Sequence, residues 1–119
     1  MSAENYKVRW AGQHAVITTP AEIDMINASQ VRQALLATAS RHATVLIIDL
    51  SQTTFCDSSC VHAIVTAHQQ ATATRTQFRL IASEVSRVFK IVGLDQLIPI
   101  YPALQAVLAA TPATLNWPG

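Results

Sequence analysis

Charged side chains are scarce in this sequence. Only 13% of its 119 residues are Asp, Glu, Lys or Arg, and the net charge is +1 with histidine neutral. No two Lys or Arg residues are adjacent, so no basic block offers an electrostatic footprint for nucleic acid. Aromatic residues make up 6% and are not interleaved with basic ones, which argues against a platform for stacking bases. Long apolar runs are missing as well, since the longest strongly apolar run, residues 45–48, is far too short to cross a bilayer. The opening stretch MSAENYKVRWAGQH has no apolar segment of the kind a secretory signal needs. Cysteine is limited to Cys56 and Cys60. A disulfide framework needs more cysteines, better spread, and an extracellular setting, so none is expected. These absences together predict a soluble cytoplasmic protein that binds neither nucleic acid nor membrane.

What is present is apolar. Half of the residues are hydrophobic, enough to exclude disorder over most of the length, and the chain is one domain long. With so little charge and a mean hydropathy of +0.28, part of the outer surface is expected to be apolar and covered by a partner.

Residues 6–10 alternate polar and apolar, residues 11–13 read as a turn, and residues 14–18 are β-rich, so the chain opens with a hairpin. Residues 24–27 lead into a helix whose apolar positions Val31, Ala34 and Leu35 have helical spacing, fading at Ser40. Val45–Leu50 is the near-continuous apolar run of a central strand covered on both faces. After a short loop, Val61, Ile64, Val65 and His68 mark a helix beginning near Ser58. Residues 77–81 form another strand. Ser83 is placed to cap a short helix carrying Val85, Val88, Phe89 and Val92, which Gly93 stops. Residues 97–100 predict a brief edge strand, and Pro102 fits the first turn of a last helix with Leu104, Val107 and Leu108 inward. The domain is predicted over 6–110, with a tail over 111–119 in which Trp117 can dock on the body. Strands alternating with helices after a hairpin imply an α/β domain with a mixed sheet and parallel neighbours.

The chemistry concentrates where a strand meets a helix, at Asp57-Ser58-Ser59. A nucleophilic serine needs a base and an oxyanion donor. His62 lies four residues after Ser58, and His14, His42 and His68 lie elsewhere, but the G-x-S-x-G elbow of hydrolases is absent. A metal site built on Cys56, Asp57, Cys60 and His62 has no second ligand pair to complete it, and Cys60 and His62 point to different helix faces. No catalytic residue, metal or cofactor is therefore assigned. Capping is the plain reading, in which Asp57 or Ser58 accepts from a free N–H of the first turn, worth about 1 kcal/mol. The remaining reading is phosphorylation. A helix start tolerates a phosphate, which adds about −1.5 to −2 charges beside Asp57 and alters how that surface meets a partner.

At this point the segments around the serine resemble a known family. VLIIDLS followed by FCDSS is similar to the STAS domain of bacterial anti-sigma factor antagonists. Ala21-Glu22-Ile23-Asp24 resembles the family's GELD-like segment, SRVFKIVGL (86–94) its helix-to-loop segment, and DQLIPIYPALQAVL (95–108) the approach to its final helix. The resemblance covers roughly residues 8–110. It implies a STAS-like single α/β domain, with about four helices packed against the mixed sheet and its opening hairpin.

Functionally, the resemblance implies a module that binds an anti-sigma factor with serine kinase activity and so releases a sigma factor in transcription regulation, for example in a stress response. The kinase phosphorylates the antagonist's serine and frees itself, and a phosphatase restores the active form. On this chain the acceptor corresponds to Ser58, with Ser59 the second choice. The implied partner-binding residues are Asp24, Asp57, Ser58, Ser59, Cys60 and His62, the last chosen for its spacing from Ser58, so that its protonation would modulate binding near neutral pH. His68, on the apolar side of its helix, is expected to be packed. Two departures stand out: Pro20-Ala21 replaces a glycine before the acidic residue, and Cys60 stands where the family carries glycine, claiming space that glycine leaves open. Cys60 keeps a second reading open, a non-phosphorylated STAS scaffold or small-ligand-binding module in a signalling assembly. A homodimer through the sheet edge or an apolar surface is compatible with the pattern, and no residue fixes it.

Overall fold

The computed structural model describes residues 6–110. The hairpin expected at the start is formed by β1 (Lys7–Ala11) and β2 (His14–Thr18), antiparallel and turning at Gly12, whose φ of 60° lies in the left-handed region. β4 (Val45–Leu50), β6 (Gln77–Ala82) and β7 (Ile100–Tyr101) complete a five-stranded sheet in the order β1-β2-β4-β6-β7, all parallel from β2 onward. The run of Leu46, Ile47 and Ile48 is fully buried because β4 sits at the centre of that order. Alternate side chains of a strand point to opposite faces, so Leu46, Ile48 and Leu50 enter one core while Ile47 enters another.

The larger core holds helices α1 (Ala28–Ala39), α2 (Ser58–Thr72) and α3 (Ser86–Ile91) through Leu35, Ile64 and Phe89 among others. Each such fully buried side chain contributes about 1.5–3 kcal/mol of transfer free energy. The parallel crossovers step in one direction across the sheet, and a shared hand places their helices on one face. The smaller core, Val16, Ile47, Ile81 and Val107, is covered by α4 (Leu104–Ala109).

Three local expectations change. Ser83 is not the cap of α3: that helix starts at Ser86 after Val85, and the Ser83 hydroxyl donates to the Ser51 carbonyl at 3.3 Å. The edge strand is Ile100–Tyr101, later than expected, because Leu94–Gln96 closes into a 3-10 turn and Ile98 drops into the core. Pro102 precedes α4, whose N-cap is Ala103, so the helix begins after the first turn assigned to the proline. Gly93, at φ 80°, ends α3 as expected. The tail and Trp117 lie outside the described residues.

Two further strands carry no signal in the sequence. β3 (Glu22–Ile23) and β5 (Phe55–Cys56) form a separate parallel pair, with Ile23 in register with Cys56. They leave the carboxyl ends of β2 and β4 and are tied to that edge by Thr19 and Thr53. Thr53 Oγ1 lies 2.7 Å from the Pro20 carbonyl, and Thr19 Oγ1 lies 2.8 Å from Thr53 Oγ1. Each hydroxyl has one proton: Thr53 gives its proton to Pro20, so Thr19 is the donor at the 2.8 Å contact, sharing its proton with the Asp49 carbonyl 3.3 Å away. The Asp49 carbonyl accepts from the Thr19 backbone N–H at 3.1 Å. Thr53 is completely buried, which makes this chain of bonds obligatory for the loop.

Candidate functional site

Asp57 is the residue that caps α2. Its backbone is extended and its Oδ1 accepts the N–H of Ser59 at 2.9 Å and of Cys60 at 3.3 Å. A carboxylate bonded in this way also faces the positive end of the helix dipole, so the acid is favourable in place. The next residue, Ser58, is the first of α2, and its side chain is exposed. The serine is presented and the aspartate holds the turn that presents it.

The β3–β5 pairing brings a second turn alongside. Asp57 donates its backbone N–H to the Ile23 carbonyl at 3.4 Å, and Asp24 follows Ile23 directly. Asp24 is itself structural: its Oδ1 accepts the Ile26 N–H at 2.9 Å, and its carbonyl accepts from Ala28 at 2.9 Å at the start of α1. Asn27 completes this turn, its side chain accepting from the Asp24 N–H and donating to the Glu22 carbonyl. From adjacent strand ends, Asp57 is thus the N-cap of α2, while Asp24 holds the turn that leads to Asn27, the N-cap of α1.

Ser58 stands between two clefts. One, of about 640 Å³, lies between α1 and α2, with Met25, Ser29 and Arg32 on one wall and Ser58, Ser59 and His62 on the other. The second, of about 410 Å³, lies between α2 and α3 and is lined by Ser58, His62, Val61, Val65, Val88 and Val92. His62 borders both, exposed one helical turn beyond Ser58, with its Nε2 3.5 Å from Thr66 Oγ1. Large exposed apolar side chains gather here too, Met25 and Ile26 being 80% and 84% exposed and Phe55 and Val92 about half. That distribution fits the apolar surface anticipated from the low charge.

The cysteines overturn the expectation of no disulfide. Cys56 and Cys60 are bonded to each other, Cα to Cα 5.3 Å apart, because the strand end and the third residue of the helix fold back over the cap. Their thiolates are therefore unavailable as metal ligands, and among the described residues no group of three His, Cys, Asp or Glu side chains is placed to hold an ion. Cys60 is fully buried, so it supports the exposed turn from beneath and does not itself face outward.

Of the expected site residues, Asp24, Asp57, Ser58, Ser59 and His62 come together at one edge of the domain. Arg32, Ser29 and Met25 were not anticipated. They reach the site because α1 packs beside α2, a tertiary contact that neither helix announces by its own pattern. His68 is packed as expected, its ring edge against Phe78 at 5.5 Å and its Nδ1 buried without a hydrogen-bond partner. Burial lowers its pKa from the usual 6.5. Among the described residues no helix is long and apolar enough to cross a membrane.

The fold is shared with proteins of known structure. An anti-sigma factor antagonist from Mycobacterium paratuberculosis superposes with a TM-score of 0.80 at 28% identity, over 88% of this chain and 91% of the other. A putative anti-sigma factor antagonist from Thermotoga maritima gives 0.78 at 16% identity, over 92% and 96%. The phosphorylated form of SpoIIAA, a Bacillus cell fate determinant, gives 0.64 at 19% identity, over 89% and 99%. No curated protein matches the sequence. The sequence profile of the STAS domain matches residues 5–107, nearly the whole chain, and the protein belongs to the STAS domain family.

Proposed function

We propose that this protein is an anti-sigma factor antagonist, a cytoplasmic binding module and not an enzyme, switched off by phosphorylation of Ser58. The observation that carries the reading is the presentation of Ser58: exposed, first in α2, directly after its capping aspartate, between two clefts rimmed by apolar side chains. The partner is an anti-sigma factor with serine kinase activity, docking over Asp24, Asp57, Ser58, Ser59 and His62, with Cys60 shaping the turn from below. A phosphatase returns the phosphorylated form to the active state. Solved relatives named as anti-sigma factor antagonists, together with the phosphorylated form of the cell fate determinant SpoIIAA, support this reading.

The switch follows from charge. A phosphate on Ser58 brings about −1.5 to −2 charges to a surface already carrying Asp57 and Asp24. An anionic group there repels an acidic partner surface and must be desolvated on docking, so affinity falls. The fold need not change, because the start of a helix accommodates an anion and Arg32 and His62 line the adjoining cleft.

A second reading has its own observation. The Cys56–Cys60 bond closes a ring around the acceptor turn, which suits a domain that binds its partner, or a small ligand in the α1–α2 cleft, without being phosphorylated. The two readings separate on partner affinity. The switch reading predicts that Ser58→Ala binds a candidate anti-sigma factor as the native protein does and that Ser58→Glu loses about tenfold or more. Equal affinities for both variants favour the scaffold.

A further inference from the structure

We infer that Cys56 and Cys60 form a redox site that gates the acceptor turn: the disulfide locks the first turn of α2, and reduction loosens it, so that access of a kinase to Ser58 depends on thiol state. The consequence for phosphorylation rests on the reading of Ser58 above, whereas the gating of the turn does not.

The bond joins the residue before the helix cap to the third residue of the helix. It encloses Asp57, Ser58 and Ser59, the cap, the candidate acceptor and its alternate. The same turn is otherwise held by two hydrogen bonds that Asp57 Oδ1 accepts, by the bonds its carbonyl accepts from the Cys60 and Val61 N–H groups, and by one two-residue strand pair. Helix ends held only by such bonds fray. With the disulfide in place the backbone of Ser58 cannot leave its helical position without straining the ring. Docking an acceptor into a kinase requires the segment around it to adapt, so the oxidised form remains unphosphorylated and competent for its partner. A bond between cysteines of a protein in a reducing compartment is characteristically transient or redox-sensing.

The chemistry balances with a dithiol reductant. Cys56 borders the apolar groove between α2 and α3 and is 7% exposed, whereas Cys60 is fully buried. A thiolate of the reductant attacks Cys56 Sγ, a mixed disulfide forms, and the electron pair of the broken bond goes to Cys60 Sγ, which takes up a proton. Cys60 lies in the first turn of a 15-residue helix, where the dipole favours the departing thiolate. The second thiolate of the reductant then displaces Cys56, which is protonated in turn, and the reductant leaves as its own disulfide. Two electrons and two protons have entered the protein. The reverse needs a small-molecule disulfide or a peroxide as oxidant.

The test needs no partner. The full chain is equilibrated in reduced or oxidised glutathione, thiols are trapped with iodoacetamide, and amide hydrogen exchange is followed peptide by peptide. Expected is a gain of two trapped thiols together on reduction, with exchange at Ser59 and Cys60 faster by about tenfold while the amides of β4 are unchanged. Cys56→Ala and Cys60→Ala, compared with each other to exclude damage from either one, should exchange at the fast rate in both buffers. Thiols that remain trappable in oxidised glutathione, or exchange that is equal in both states, would overturn the inference. A kinase arm run on both redox forms separates the two claims. No phosphate on Ser58 in either form defeats the phosphoswitch, while the exchange data still decide the gate.

Discussion

Ile23 and Cys56 occupy facing positions in a two-residue parallel ladder, and this one rung sets the turn before α1 beside the turn before α2. Asp24 and Asp57, 33 positions apart in sequence, each follow one member of the rung and each bond backbone N–H groups of the turn they begin. The candidate docking surface is thus a pair of helix starts held side by side, that of α2 capped by Asp57, with Ser58 exposed on it. Its geometry depends on the loops that leave the sheet, and those loops are fixed by buried hydroxyls and a disulfide as well as by the fully buried Ile23.

The cap and the charge of Asp57 can be separated. Asp57→Ala removes the acceptor of the Ser59 and Cys60 N–H groups and should lower unfolding free energy by about 1 kcal/mol, whereas Asp57→Asn should retain most of it. Urea denaturation of both variants checks this. An equal loss in the two would show that the charge, and not the capping bond, is what the fold uses.

Thr53→Val is nearly the same size but removes the donor to the Pro20 carbonyl and the acceptor for Thr19. A buried group left without its partner costs about 1–3 kcal/mol, so the variant should melt at a lower temperature than the native chain. Loosened amide exchange at β3 and β5 should accompany the loss, because Thr53 ties that pair to the sheet.

Gly93→Ala isolates backbone strain. A Cβ at that position would meet nothing within 4 Å, so packing is indifferent, but the φ of 80° is disfavoured for any L side chain. The expected cost is about 1–2 kcal/mol, read as a shift in denaturant midpoint at constant slope.

His68 gives the fold a pH dependence of definite sign. Its ring packs on Phe78 beside Arg75 and Arg79, and burial lowers its pKa below 6.5. As pH falls the unfolded chain takes up the proton first. The contribution of the neutral ring is therefore complete above 6.5, declines below it, and levels off once the folded protein is protonated as well. Unfolding free energies measured from about pH 7.5 to 5.5 should decline for the native chain and be flatter for His68→Leu.

Much of this architecture was legible because it rests on period. The near-continuous apolar run at Val45–Leu50 announced the central strand, and Val61, Ile64, Val65 and His68 announced α2 with Ser58 near its start. β3 and β5 were not legible, since two residues are too few to carry an alternation, and their pairing depends on where Thr53 anchors the loop. The disulfide was missed for a related reason. Spacing alone does not tell whether Cys56, at a strand end, and Cys60, in a helix, approach each other; the cap at Asp57 turns the chain so that they do. Arg32 was out of reach because its place at the site comes from the packing of one helix on another. Ser83 misled because a hydroxyl at the right distance before a helix resembles a cap even when its proton is given to Ser51.

The most direct measurement is intact mass with peptide mapping after incubation with ATP and candidate anti-sigma kinases from the same source, with binding to each kinase assayed in parallel. The account predicts one added phosphate, mapped to Ser58, and loss of binding to the kinase that added it. Stable binding to such a kinase with no phosphate on Ser58, in the reduced as well as the oxidised protein, would contradict it.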